Sequence, residues 1–351
     1  MVRHLMSGWV WSVGLIWLGV AGAGAEWVTD FWDGFGGTGG LNMNKWAYEH
    51  TYGQEDLTKN TPSATIQQAS WRDAVYLTDA VSTANGVLSI RTYDGINPVT
   101  GEATPITGAI RSREDFRRGR FSARMRFEGQ PGMWSAFWLY NNKTYQNASG
   151  RWVQDPLHDG VEVDIVENRV RDWGGNDISD IANMALHWNG YDKVNDNDAA
   201  TWNDSPKPDY WGQQTANLQP TIGGGGSEAW HRYSVEWWAN RYVFSIDDVV
   251  VWVTDEVDVT SPTNSGNPVS SNIDQWIILS SEVLDQRWTG WIPTGGYGAL
   301  GSSSNGLVEV DWVKHETWVN SQAVVPEPAA AAVLLGLGGL LGGSRRCRLR
   351  R

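Results

Sequence analysis

The chain has 351 residues, 41% of them hydrophobic, and a formal net charge of −13. This length allows two domains or one large β-sandwich, and the apolar content supports a sizeable core rather than global disorder. The acidic balance argues against a nucleic-acid partner, which needs a basic footprint. A single cysteine, Cys347, excludes an intrachain disulfide framework and any Cys-based zinc site. The 23 tryptophans are more than a core requires of large aromatics with a polar N–H. They point to a surface that stacks on flat, hydroxylated rings.

Residues 1–25 carry Arg3 and His4, an apolar stretch from Trp9 to Ala21, and Ala-Gly-Ala-Gly-Ala ending at Ala25. This is the order of a secretory signal, with Glu26 as the first mature residue. The apolar run is short for a membrane anchor.

The body, residues 26–320, reads as one all-β domain. Period-two runs punctuated by Gly, Asn, Asp and Pro predict strands at 86–93, 119–127, 161–167, 233–238, 242–246, 249–253 and 307–314. Residues 242–253 read as a hairpin turning at Asp247-Asp248. The Gly223–Gly226 run is a loop. No long stretch has the helical period with caps on both sides. Many short strands without intervening helices predict a two-sheet sandwich or jelly roll with a concave substrate cleft.

The strand at 161–167 carries three acids between β-branched residues. Alternation puts Glu162 and Asp164 on one face and Val161, Val163 and Ile165 on the other. Strict alternation would send Glu167 to the apolar face. A β-bulge at Ile165-Val166 returns it beside Asp164. Three neighbouring carboxylates repel, which raises at least one pKa and lets one group stay protonated while another is ionised. Such a pair is the equipment of glycoside hydrolysis. A solvated acidic face and a calcium site are the alternatives for the same residues.

At the other end, Val325-Pro326-Glu327-Pro328 precedes an apolar run, 329–343, and the arginine-rich close 344–351. The apolar run is marginal for a full span. The segment 321–351 resembles the Pro-Glu-Pro sorting tail of exported Gram-negative bacterial proteins, with a permanent C-terminal anchor as the alternative. Without the two ends, 39 acids face 21 bases, near −18.

The strand pattern as a whole resembles glycoside hydrolase family 16. The residues that carry the resemblance are Glu162-Val-Asp164-Ile-Val-Glu167, the bulged form of the family's acidic motif, with 119–127 and 132–139 before it. His231-Arg-Tyr-Ser-Val-Glu-Trp237, 275–279 and 310–314 follow in the expected order. Ser135 stands where many members have Pro, and Ser280-Ser281-Glu282 replaces a more usual Asn- and Gly-containing stretch.

The resemblance implies a retaining double displacement. Glu162 would be the nucleophile, Glu167 the acid and base, and Asp164 the residue that orients the nucleophile. Trp134 and Trp138, on one face of a strand, would be a sugar-stacking platform, with core packing as the alternative. His187, followed by Trp188, would line the cleft and bond substrate or the acids, with a purely structural histidine as the alternative. The resemblance also implies a structural Ca²⁺ near Asp311, for which a plain exposed aspartate is the alternative; catalysis itself needs no cofactor. The partners expected are a polysaccharide substrate and, through the termini, the export and sorting machinery. The protein is expected to be a monomer, secreted or at the cell surface.

The function expected is a secreted endo-β-glycanase acting on a β-1,3- or β-1,3/1,4-glucan. An alternative substrate is an algal galactan (agar, porphyran or carrageenan), which the basic cluster Arg111, Arg113, Arg117, Arg118 and Arg120 leaves open. A non-catalytic, lectin-like binding protein is the alternative outside enzymes. A structural surface protein would explain neither the acids nor the tryptophans.

Overall fold

The computed structural model describes residues 25–37, 40–48, 73–98, 100–141, 145–146, 152–153, 161–188, 214–254, 271, 274–285 and 289–320. The signal segment 1–24 and the tail 321–351 lie outside these residues. The residues from Trp27 to Trp318 fall in one compact unit. Among the described residues no helix is long and apolar enough to cross a membrane.

The architecture is two large antiparallel-rich sheets, as alternation without helical periodicity requires, with a separate two-stranded pair of Tyr145–Gln146 and Trp152–Val153. One sheet has ten strands. Its main path runs Val249–Val253, Tyr242–Ile246, His231–Trp237, Gly119–Glu128, Gly306–Asn320, Val87–Ile96, Ala103–Thr107 and Val75–Tyr76. The other has seven, in the order Gln214–Leu218, Asn183–Trp188, Glu162–Arg169, Met133–Tyr140, Trp276–Val283, Ala109–Ser112 and Trp46–Ala47.

Alternate side chains from the two sheets meet in the main core. Phe121, Ala123, Met125, Phe127, Tyr233 and Val235 come from the larger sheet; Phe137, Leu139, Val163, Met184, Leu186, Ile277 and Leu279 come from the smaller. Interleaving of inner faces is what joins two sheets into a sandwich. The other face of the seven-stranded sheet is therefore left for chemistry.

Turn chemistry agrees with the sequence at the hairpin. Asp247 and Asp248 have φ of 50° and 67°. Two consecutive positive values suit the twist of a two-residue hairpin, and Asp tolerates them better than most residues. His231 and the Arg232 N–H hold the Asp247 carboxylate at 2.6 and 2.8 Å.

Two long strands missed by alternation are buried on both sides. Trp276–Val283 is buried at every position, and Met133–Tyr140 at all but Trp134. With both faces covered, polar and apolar residues do not alternate regularly along them. The five arginines do not form one basic patch. Arg111 stacks on Trp276, Arg113 bonds the Met43 and Trp46 carbonyls, Arg117 pairs with Asp274, and Arg120 pairs with Glu316 on the larger sheet. Arg118 is an exposed turn residue with φ 60°. Alternation along 111–120, with a crossing from one sheet to the other, disperses them.

Phe137→Ala would remove a fully buried ring from the middle of the smaller sheet. The expected cost is about 3–5 kcal/mol of stability, read from denaturant unfolding.

Candidate active site

The acid strand gains its geometry from its two neighbours. Against Met133–Tyr140, Val163 pairs with Leu139 and Asp164 with Trp138, but Phe137 is met by Val166, so Ile165 is the extra residue. Against Asn183–Trp188, Glu162 pairs with His187, Asp164 with Ala185 and Glu167 with Asn183, with the same slip between Asp164 and Glu167. Both Ile165 and Val166 are fully buried in the core. The apolar effect thus drives two successive residues inward, and Glu167 emerges on the same face as Glu162 and Asp164. The bulge expected from the sequence stands at the expected place.

Desolvation then sets the proton affinities. Asp164 is 2% exposed and Glu167 5%. Burial, reinforced by the Asp164 charge, pushes the Glu167 carboxyl up to about 8, against the opposing pull of the His187 charge and of bonds from Asn183 and Trp134. Burial and then the Glu162 charge raise Asp164 to about 6, opposed by His187. Burial alone would lower His187, but the bond and charge of Asp164, then the charges of Glu162 and Glu167, overturn this and raise it to about 9. His187 Nε2 stands 3.2 Å from Asp164 Oδ2. The histidine is therefore part of the acid cluster. Near neutral pH a protonated Glu167 shares this face with an imidazolium that bonds Asp164 from the neighbouring strand.

The two tryptophans take different parts. Trp134 is half-buried and donates its Nε1–H to Glu167 Oε1 at 2.6 Å. Trp138 is 5% exposed and packs with Ala136, Tyr140, Trp276 and Ile278 on the acid-bearing face. Its Nε1–H goes to Ser280 Oγ at 3.1 Å. Both indole N–H groups thus serve the protein itself. Trp138 is a packed floor residue, while Trp134 keeps part of its ring open. Trp188 pairs with Gln214 in the sheet, and its side chain lies outside the described residues.

Several further residues border the acids on this face. Asn183 bonds Glu167 Oε2 and receives Gln219 at 3.0 Å. Arg169 follows Glu167 by two positions on the same strand and is 8% exposed. Arg111 lies with its guanidinium 4.0 Å from the Trp276 ring centroid. The Ser-Ser-Glu stretch also finds its reasons. Ser280 takes the Trp138 bond. Ser281 points inward to Ser135 at 3.0 Å and Thr92 at 3.3 Å, so the two departures from the family pattern form one buried hydroxyl contact. Glu282 faces the acid side, opposite Trp134 in register. The alternation Trp276, Ile278, Ser280, Glu282 was the signal that could have found it.

Asp311 is the extra residue of a second bulge, between Val310 and Trp312, and its Oδ2 lies 2.6 Å from Arg124 Nη1. A guanidinium thus bonds one oxygen of the carboxylate for which calcium was the expected partner. The one described group with three ligand atoms within 4.8 Å is Glu162, Asp164 and His187. There the closeness of charges is met by the imidazolium itself.

Deleting Ile165 would remove the extra residue and, by strict alternation, leave Glu167 on the face of Glu162 and Asp164. The expected result is a folded protein that retains hydrolytic activity, measured by the activity assay beside circular dichroism.

Residues 68–276 match the family model described as glycosyl hydrolases family 16. A search of curated proteins finds no match. Among solved structures, the laminarinase from Rhodothermus marinus is similar at TM-score 0.57 and 18% identity, over 84% of this chain and 99% of that one. Porphyranase B from Zobellia galactanivorans is similar at TM-score 0.57 and 20% identity, over 84% and 94%. The endo-β-1,3-glucanase from Pyrococcus furiosus is similar at TM-score 0.57 and 16% identity, over 84% and 95%. At these identities the likeness concerns the fold, which is the two-sheet sandwich described above. The family match covers more than half of the sequence and includes the bulged acid strand: the chain belongs to glycosyl hydrolases family 16 and is a glycoside hydrolase.

Proposed function

We propose that the protein is an exported, monomeric, retaining endo-β-glycanase that hydrolyses a β-1,3- or β-1,3/1,4-glucan. The observation that carries this reading is the bulge at Ile165, which gathers Glu162, Asp164 and Glu167 on one face while burial raises Glu167 to about 8. An acid that holds its proton at neutral pH, two rows along the same strand from a second glutamate, is the pairing that glycoside hydrolysis requires. The glucan assignment draws on the laminarinase and endo-β-1,3-glucanase among the similar structures.

In the first step Glu162 attacks the anomeric carbon while the bond to the leaving oxygen breaks. Glu167 gives its proton to that oxygen, and a glycosyl ester on Glu162 results. In the second step Glu167 takes a proton from water, whose oxygen replaces Glu162 at the anomeric carbon. Both halves use one group as acid and then as base. Asp164 and His187 act beside them. The imidazolium faces Glu162 across the strand pair and offsets the negative charge that three close carboxyls would otherwise concentrate. The reaction draws on these side chains and water. The half-buried ring of Trp134, beside the packed floor of Trp138, Tyr140 and Trp276, offers stacking area to sugar C–H faces.

A second reading, hydrolysis of an anionic galactan, is favoured by one observation. Arg111, 2% exposed and stacked on Trp276, places a guanidinium on the acid-bearing face. Export through the N-terminal segment and sorting through the C-terminal tail are part of the proposal, supported by the residue patterns of the two ends.

Glu162→Gln is expected to abolish release of reducing ends from laminarin while binding persists. Retained hydrolysis by this variant would overturn the assignment, and binding without hydrolysis by the parent would favour the lectin. Glu167→Gln should lower kcat by about 10²–10⁴-fold, the usual share of a general acid. A panel of laminarin, mixed-linkage glucan, agar, porphyran and carrageenan, with product sizing, separates the two substrate readings.

The pH profile follows from the charges. Glu167 acts as an acid only while protonated, so activity falls as pH rises through about 8. His187→Asn removes a cation that holds the Glu167 affinity down, and Trp134→Phe removes a donor that does the same. Both should move the alkaline limb of kcat/KM to higher pH.

A further inference from the structure

We propose that Glu282 determines specificity on this face: it accepts hydrogen bonds from the hydroxyls of the sugar ring seated over Trp134 and disfavours a ring that carries an anionic substituent there. The inference rests on the glycanase reading above and adds a residue that the two-step chemistry does not use.

Its position follows from strand register. Along Trp276–Val283, Ile277 and Leu279 enter the core, which sends Ile278, Ser280 and Glu282 to the opposite face. Glu282 pairs with Trp134 on the next strand, and Trp134 pairs with Arg169 on the strand beyond. Side chains directly opposite in an antiparallel pair have Cβ atoms about 4.5–5.5 Å apart. Glu282 therefore borders the indole on the side away from the acid strand. Its exposure, 5%, equals that of Glu167, so it sits at the depth of the acid itself. Its charge is felt among the acids, since it adds to the proton affinity of Asp164.

Chemistry gives this placement its consequence. The Trp134 N–H is given to Glu167, so the indole has its ring face rather than its donor to offer. A pyranose whose C–H face lies on that ring presents hydroxyls at the ring margin. A carboxylate bordering the indole is a charged acceptor for those hydroxyls, and charged acceptors make the stronger bonds. The same carboxylate repels a sulfate or carboxylate substituent, and repulsion of the wrong ligand is a source of specificity. Its two neighbours in the Ser-Ser-Glu stretch are taken up by the protein, Ser280 by Trp138 and Ser281 by Ser135 and Thr92. Glu282 adds a fourth carboxyl to the face beyond the three used in the reaction.

The test compares the parent chain with Glu282→Gln, which keeps the shape, and Glu282→Asp, which keeps the charge but shortens it. Rates are measured on a neutral glucan and on a galactan in its sulfated and desulfated forms, with circular dichroism to verify folding. Glu282→Gln should raise KM for the unsubstituted glycan about tenfold, the scale of a lost bond to a charged group, with kcat nearly unchanged. It should also raise the ratio of kcat/KM for sulfated over desulfated glycan. Glu282→Asp should keep the parental discrimination. A Glu282→Gln enzyme with parental KM and parental discrimination overturns the proposal, and so does a fall in kcat alone, which marks a structural role. These outcomes apply to a parent that hydrolyses glycan. A parent that cleaves no glycan overturns the glycanase reading, and the inference falls with it.

Discussion

The site depends on how one strand absorbs an extra residue. Ile165 has no partner on the neighbouring tryptophan strand, and both it and Val166 turn into the core. Burying two adjacent apolar side chains compensates for the broken ladder. Its geometric consequence is that Glu167 joins Glu162 and Asp164. Everything chemical on this face follows from that slip. Without it the acids would number two, and the third would be an unpaired carboxyl inside the sandwich, which folding strongly disfavours.

Once the acids share a face, their burial costs stability and supplies reactivity at once. Carboxyls as deeply placed as Asp164 and Glu167 hold their protons more tightly than in water. The protein moderates this with His187 beside Asp164 and with two N–H donors, from Asn183 and Trp134, on Glu167. The donors pull against desolvation, so the acid retains its proton near neutrality yet can release it. Trp134 illustrates the economy of the arrangement. One ring tunes the acid through its N–H and keeps a partly open face beside Glu282.

Much of this was legible in the residues. The alternation of Val163, Asp164 and Ile165 announced a strand with one polar face, and the spacing to Glu167 demanded a bulge. The Asp247-Asp248 turn was legible because Asp is one of the few residues that tolerates its conformation. Other parts were not. Trp276–Val283 and Met133–Tyr140 are covered on both faces, so apolar and polar residues do not alternate along them and the two strands do not stand out by their period. Asn183 reaches the site by cross-strand register, which a single sequence does not encode locally. The arginines of 111–120 look like a patch in one dimension and scatter in three, because alternate positions face opposite ways and the chain changes sheet. Asp311 matched a pattern, but Arg124 on the neighbouring strand claims its carboxylate.

The central claim is that the slip at Ile165 delivers Glu167 to the acid face as a group still protonated at neutral pH. Carbon-13 NMR titration of the glutamate side-chain carboxyls, with Glu167 assigned by its absence from the Glu167→Gln spectrum, measures this directly. The account predicts a midpoint near 8 for Glu167. A midpoint at the ordinary value of 4.5 would contradict it.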